Sequence, residues 1–385
     1  MSDVLTTDPQ RIERRPYLAY TERRSPGIHR AYCDDSSMLT PWEIPTRSGL
    51  RVLCHEPEEQ PYRRAAYSLG IPVGVQDVGW SEANRLSGRW FVPQNLATSI
   101  VSGAAQCDLG MDPYTGINFD TAQAACRAMG ANWSLMSQAQ WHALMVISQS
   151  YWMGQGKNNP TGNSQHGRSD QVTSEVGIRS DLLEVDGTNK GAYGRTLSGM
   201  KAGGGLHLAW SHDGTALGVF DLVGNVWEWA EAARVNNGRI EVIPASAGIH
   251  ADHGASSTAW RAVRPDGTLV AIGAGGDMLH YDATTSLIFI ATSRGTIGNQ
   301  SAMFYQLGAG SIAPVPPVLI AMGLFPWSAS VPTVGRFYVD TNGERLPVRG
   351  GHWSSGSYAG VAALNLNYAR GSAGTSLGFR PAFAI

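Results

Sequence analysis

Cysteine and histidine are the side chains of this 385-residue chain best suited to covalent or metal chemistry, and their spacing favours neither. Cys33, Cys54, Cys107 and Cys126 form no CxxC pair and have no histidine pair beside them, so neither a zinc site nor a disulfide framework is indicated. Buried free thiols are the expectation. No two histidines stand at HxxxH spacing, which would set both on one face of a helix. His250 and His253, with Asp252 between them, form the one tight cluster. No catalytic residue and no resident metal is assigned on these grounds.

A second group of side chains suits recognition better than reaction. Between Gly350 and Ile385 the chain carries His352, Ser354, Ser355, Tyr358, Tyr368, Ser372, Gly374 and Ser376, interleaved with the apolar set Val361, Leu364, Leu366, Leu377 and Phe379. Leu364 and Leu366 alternate with Asn365 and Asn367, which predicts a strand that buries the leucines and turns the amides outward. Rigid tyrosines among small hydroxyl side chains are the mixture that antibody paratopes use.

These residues need elements to hold them. DLVGNVWEWA, Asp221 to Ala230, places Trp227 and Trp229 on one side of an extended segment after a turn at Gly224 and Asn225. Asn118 or Asp120 caps a predicted helix ending near Met129. Ser137 with Gln140 three residues on reads as a capping box for another, burying Trp141, Leu144, Met145 and Ser148 along one side. Strands are expected near Trp90 to Val92 and Ser99 to Ala104, and GRIEVI, TAWRAVRPDGTLVAI and SLIFIAT read as short strands of a β-rich insertion over residues 231–330.

Residues 1–85 hold 11 basic and 12 acidic side chains of the chain's 60, and are rich in proline. That shift predicts an N-terminal arm or cap, with the main domain over residues 86–385. The net charge of -2 gives no reason to expect a nucleic-acid partner. The N-terminus lacks the pattern of a signal peptide, and no apolar run is long enough to span a membrane, so membrane insertion is not expected.

The segments WSLMSQAQWHALM, GNVWEW (Gly224 to Trp229) and the frame running from Arg349, Gly350, Gly351 and Trp353 to Gly378, Phe379 and Arg380 resemble the C-type lectin fold. The likeness is to the branch shared by formylglycine-generating enzymes and the variable proteins of diversity-generating retroelements. The resemblance implies an α+β fold, a twisted, mostly antiparallel sheet with two helices. It implies a scaffold made of Gly224, Asn225, Trp227, Trp229, Gly350, Gly351, Trp353, Gly378, Phe379 and Arg380, with Arg380 paired to a carboxylate or to strand carbonyls.

In variable proteins, adenines of a template copy are exchanged, so an AAC or AAT codon reaches most residue types but never Lys, Glu, Gln, Met or Trp. Gly350 to Ile385 contains none of these except Trp353, a scaffold position. The resemblance therefore implies a variable, ligand-binding region over 350–385 that uses His352, Ser354, Ser355, Tyr358, Asn365, Asn367, Tyr368, Ser372, Gly374 and Ser376. It also implies a protein or glycan partner on a host cell surface, carriage on a phage or prophage particle after cytoplasmic accumulation, and no enzymatic activity. Structural calcium, held by Asp221, Asn225 and Glu228, is the one cofactor it allows. The alternatives are an oxidase of the formylglycine-generating type, a sulfoxide synthase, and a non-diversifying particle protein.

Overall fold

A computed structural model describes residues 39–385 apart from 49, 85–88, 155–176, 180–193, 202–203, 217, 284–286, 296 and 329–334. Cys33, His166 and the proposed boundary at Arg85 lie outside the described residues.

Among the described residues, Pro41, Pro61 and Pro72 of the N-terminal part stand where the backbone tolerates them. Pro41 lies in the strand Leu39–Pro45, at the edge of its sheet, where proline is tolerated in strands. Pro61 falls in the first turn of the helix Glu59–Ser68, and Pro72 caps the helix Val73–Ala83. Tyr62, Ala66, Val75 and Trp80 from these two helices enter the same apolar cluster as Trp141 and Leu144. Residues 39–84 therefore share the core of the rest.

Two sheets carry the fold. The smaller has five strands in the order Leu39–Pro45, Arg51–Pro57, Trp90–Pro93, Pro381–Ala384, Trp133–Leu135, so the C-terminal strand is inserted between two strands from early in the chain. The larger has 12 strands and gathers the segments from Trp227 to Phe379. In it, Trp227–Trp229 lies between Glu344–Arg349 and Leu377–Phe379. Leu364–Tyr368 runs antiparallel to Glu344–Arg349 and parallel to Arg336–Asp340, setting Tyr338 beside Asn365. The strands Arg239–Val242, Arg261–Val263, Leu269–Ala271 and Phe289–Ala291 occupy the region where short strands are expected.

Both expected caps are present. Asn118 Oδ1 accepts from the Thr121 N–H at the start of Phe119–Ala128, and Ser137 and Gln140 exchange hydrogen bonds at the start of Gln138–Gly154. Among the described residues of 86–385 the expected pair of helices is present and a third, Pro317–Ala321, joins it, while Glu59–Ser68 and Val73–Ala83 precede that domain. The third helix is five residues long and closes on Gly323, too short to show a periodic apolar stripe in sequence. Trp133, Trp141, Trp227, Trp229 and Trp353 are all buried, as the pattern predicts. The Trp229 indole donates to the carbonyl of Ile117 at 2.9 Å and meets the Phe119 ring edge-on.

Candidate recognition surface

The frame around the C-terminal segment is fixed by close backbone approach and by one buried ion pair. Gly350 and Gly351 both have positive φ, and a Cβ on Gly350 would stand 2.8 Å from the Leu222 carbonyl oxygen while one on Gly351 would stand 2.7 Å from the Ala359 side chain. Only glycine fits both requirements. Arg380, fully buried, donates through Nε and Nη2 to the two carboxylate oxygens of Glu228 at 2.9 and 2.8 Å. Its remaining donors reach the carbonyls of Pro93, Gln94 and Phe220. Burial pushes the Glu228 carboxyl up while Arg380 draws it down, and the two-pronged contact is that of a carboxylate with a guanidinium.

On this frame the residues expected to contact a ligand lie in the loop around 352–358, in the strand Leu364–Tyr368 and in the turn before Leu377. Tyr358 is 45% exposed, and the Arg336 guanidinium lies 4.3 Å from its ring centre. Arg336 also lies over Tyr338 at 5.8 Å and donates twice to Ser301 Oγ, which fixes its plane. Tyr338 stands edge-on to Trp227, and Trp227 in turn faces His352, 6.3 Å in each case. The hydroxyl of Tyr338 is pushed up, first by burial, with Tyr358 and Tyr368 adding to it against Arg336. Tyr358 and Tyr368, ten residues apart in sequence, thus act on one neighbour.

The remaining positions are held by hydrogen bonds of their own. Ser354 Oγ is within 3.4 Å of His352 Nδ1, and Ser355 Oγ accepts from the His352 backbone N–H. Ser376 hydrogen bonds to Tyr368, and its carbonyl accepts from the Trp227 N–H. Gly374 accepts from the Gly116 N–H, and Ser372 closes a turn on Ala369. Arg370 pins this turn by pairing with Glu344 and Asp120 while lying over the Phe119 ring.

Asn365 departs from its expected place in the open. It shares the face with Asn367 but is only 8% exposed, because its Oδ1 accepts from the Asn367 N–H and neighbouring strands cover it. Asn367 is half-exposed and reaches Asn299. Tyr338, Arg336 and Ser301 belong to the face although the sequence reading did not select them. A signal was available, since in RFYVD Arg336, Tyr338 and Asp340 alternate with the buried Phe337 and Val339.

The candidate ligand sets for metals disperse. Among the described residues no group of three or more His, Cys, Asp or Glu side chains is arranged to hold an ion. Asp221 accepts from Ser198, Asn225 holds the Thr196 backbone at both ends of its amide, and Glu228 is taken by Arg380, so Asn225 and Glu228 are already committed to protein partners. Asn225 has positive φ and is the turn residue of its loop. His250 bonds to the Trp133 carbonyl, His253 to that of Ala251, and Asp252 to the Gly254 N–H. Cys54, Cys107 and Cys126 are free thiols, and burial pushes all three above the usual thiol range.

The model of the sulfatase-modifying factor enzyme 1-like domain, FGE-sulfatase, matches residues 75–385, most of the chain. This chain belongs to the FGE-sulfatase family. Its β-rich fold over residues 75–385 is that family's fold. No curated protein matches the chain.

Membership corrects the expectation of a non-enzymatic protein, because the family is named for an enzyme. It also corrects a description in ligand-binding, receptor and retroelement terms alone, which the match does not supply. Spacing of cysteine and histidine along the chain does not decide the matter, because a site can be gathered from residues far apart in sequence. Among the described residues no helix is long and apolar enough to cross a membrane.

Proposed function

We propose that this FGE-sulfatase family member recognises a macromolecular ligand, a protein or a glycan, through the face formed by Tyr358, His352, Ser354, Tyr368 and Ser376 together with Tyr338 and Arg336. The observation that carries the reading is Tyr358 itself. A large aromatic ring is held outward by a stacked guanidinium on a frame whose tryptophans, glycines and Arg380 are buried, so contact area is offered with little side-chain freedom left to lose.

The finer reading is part of the same proposal. It assigns the chain to the C-type lectin branch of the family, with its exchangeable positions in 350–385 diversified as in retroelement variable proteins and its ligand on a host cell. Support comes from the Arg349-Gly350-Gly351 and Gly378-Phe379-Arg380 frame and from the separation of buried scaffold from exposed Ser354 and Tyr358 and half-buried His352, Tyr368 and Ser376. Carriage on a phage or prophage particle belongs to this reading too, and antibody detection in soluble extract only, never in particles, would remove that part.

Tyr358→Ala is expected to weaken binding to the cell-surface protein or glycan that the parent captures by about 30-fold, roughly 2 kcal/mol. Its folding stability should stay within about 0.5 kcal/mol of the parent. Equal binding by parent and variant on glycan arrays and surface-protein fractions would sink the reading.

The family match favours a second reading, oxidation of a thiol-bearing peptide bound at this or a neighbouring face. A cysteine peptide incubated with the protein in air, with and without an added transition metal, and followed by mass spectrometry for an aldehyde product, tests it. With turnover at this face, Tyr358→Ala should raise KM more than it lowers kcat, and an unchanged KM would place the peptide on a neighbouring face.

A further inference from the structure

Arg349 ends the strand Glu344–Arg349 and is fully buried, yet no carboxylate among the described residues pairs with it. Its Nη1 reaches the Gly323 carbonyl only at 3.4 Å and its Nη2 the Met145 sulfur at 4.0 Å, while Nε has no partner. The Trp141 ring lies 5.7 Å away. Tyr281, the one titratable group that acts on it favourably, has its hydroxyl committed to the Leu324 carbonyl. Burial pulls Arg349 down to about 9, which leaves it charged at neutral pH.

The neighbouring polar groups are unsatisfied too. His142, on the helix Gln138–Gly154, is fully buried with both ring nitrogens unpartnered, and burial, with Arg349 adding to it, holds it neutral, down to about 3. Trp327 stands edge-on to His142 at 5.9 Å with its indole N–H unpartnered. Gln138, one helical turn before His142, has both amide atoms unpartnered. The Arg349 and Trp327 nitrogens can only donate, so the missing partner is an acceptor. Water would satisfy the hydrogen bonds but would leave a buried guanidinium without countercharge.

We propose that Arg349, His142 and Trp327 bind a small monovalent anion, a halide or a carboxylate no larger than formate, between the helix Gln138–Gly154 and the 323–327 loop. The bound anion neutralises Arg349 and ties the strand that leads into Gly350 to the helical layer. The inference stands apart from the recognition reading, because it uses none of the surface residues.

The test uses the full chain and bromide as the probe. Crystals grown in bromide should show anomalous scattering within hydrogen-bonding reach of Arg349 Nε. At constant ionic strength, replacing gluconate with bromide should raise the melting temperature by roughly 2 °C per tenfold in bromide once the site begins to fill. Formate in place of bromide should act similarly if a carboxylate fits, and bromide alone should act if only a halide does. Arg349→Met should lose the dependence. A water molecule in place of bromide, or a wild-type melting temperature indifferent to the anion, would overturn the proposal, and the wild-type bromide map decides the matter even if the variant fails to fold.

Discussion

Arg380→Met is expected to destabilise the protein by about 3–5 kcal/mol, because it leaves the Glu228 carboxylate buried without its countercharge and removes the donors to three backbone carbonyls. Those carbonyls belong to Pro93, Gln94 and Phe220, so one side chain joins the strand Trp90–Pro93, the loop before Trp227 and the C-terminal strand pair. Adding Glu228→Gln should restore part of the loss, since the uncompensated charge is then gone while the carbonyls stay unpaired. Urea melts of parent, single and double variants measure both effects. Full stability in Arg380→Met with binding lost would make Arg380 a contact residue, against its complete burial.

Acid should destabilise the protein well before the bulk of its carboxylates titrate. His55 and His142 are fully buried and held down to about 3, His55 by burial with His212 and Arg380 adding to it against Asp213, and His142 by burial and Arg349. An unfolded histidine titrates near 6.5. The unfolded chain therefore binds more protons below that pH, and stability present above it is lost as the pH falls towards 3. From pH 7 to pH 5 each of the two should cost about 2 kcal/mol. His212, also lowered by burial, acts in the same direction.

Asp221 opposes them. Burial raises its carboxyl to about 6, so protonation of the folded form returns about 1.4 kcal/mol over the same interval. The expected net loss is about 2–3 kcal/mol, read from denaturant melts at the two pH values. A flat profile would mean that these histidines find partners or solvent that their burial does not show.

Local chemistry was legible in the chain wherever a few neighbouring residues decide the outcome. The cap at Asn118 and the Ser137–Gln140 box follow from side-chain reach within one turn. Leu364 and Leu366 turn inward because alternation is a property of the strand itself. The pairing of Arg380 was inferable because a charged residue between Phe379 and Pro381 in an apolar run must find a partner.

What the sequence could not decide depends on which segments lie side by side. Tyr338 and Arg336 join Tyr358 only because Arg336–Asp340 pairs in parallel with Leu364–Tyr368, a register that no local pattern encodes. Asn365 alternates like an exposed residue yet is covered by the strands on either side. His142, Trp327 and Arg349 look unrelated in sequence and become one unsatisfied cluster when the 323–327 loop meets the helix Gln138–Gly154. The sequence by itself determined the caps and the buried faces, since those rest on interactions a residue makes with its own element. Only the tertiary structure decided which exposed and which unpaired groups share a site, because sheet order and loop closure bring together residues that the chain keeps far apart.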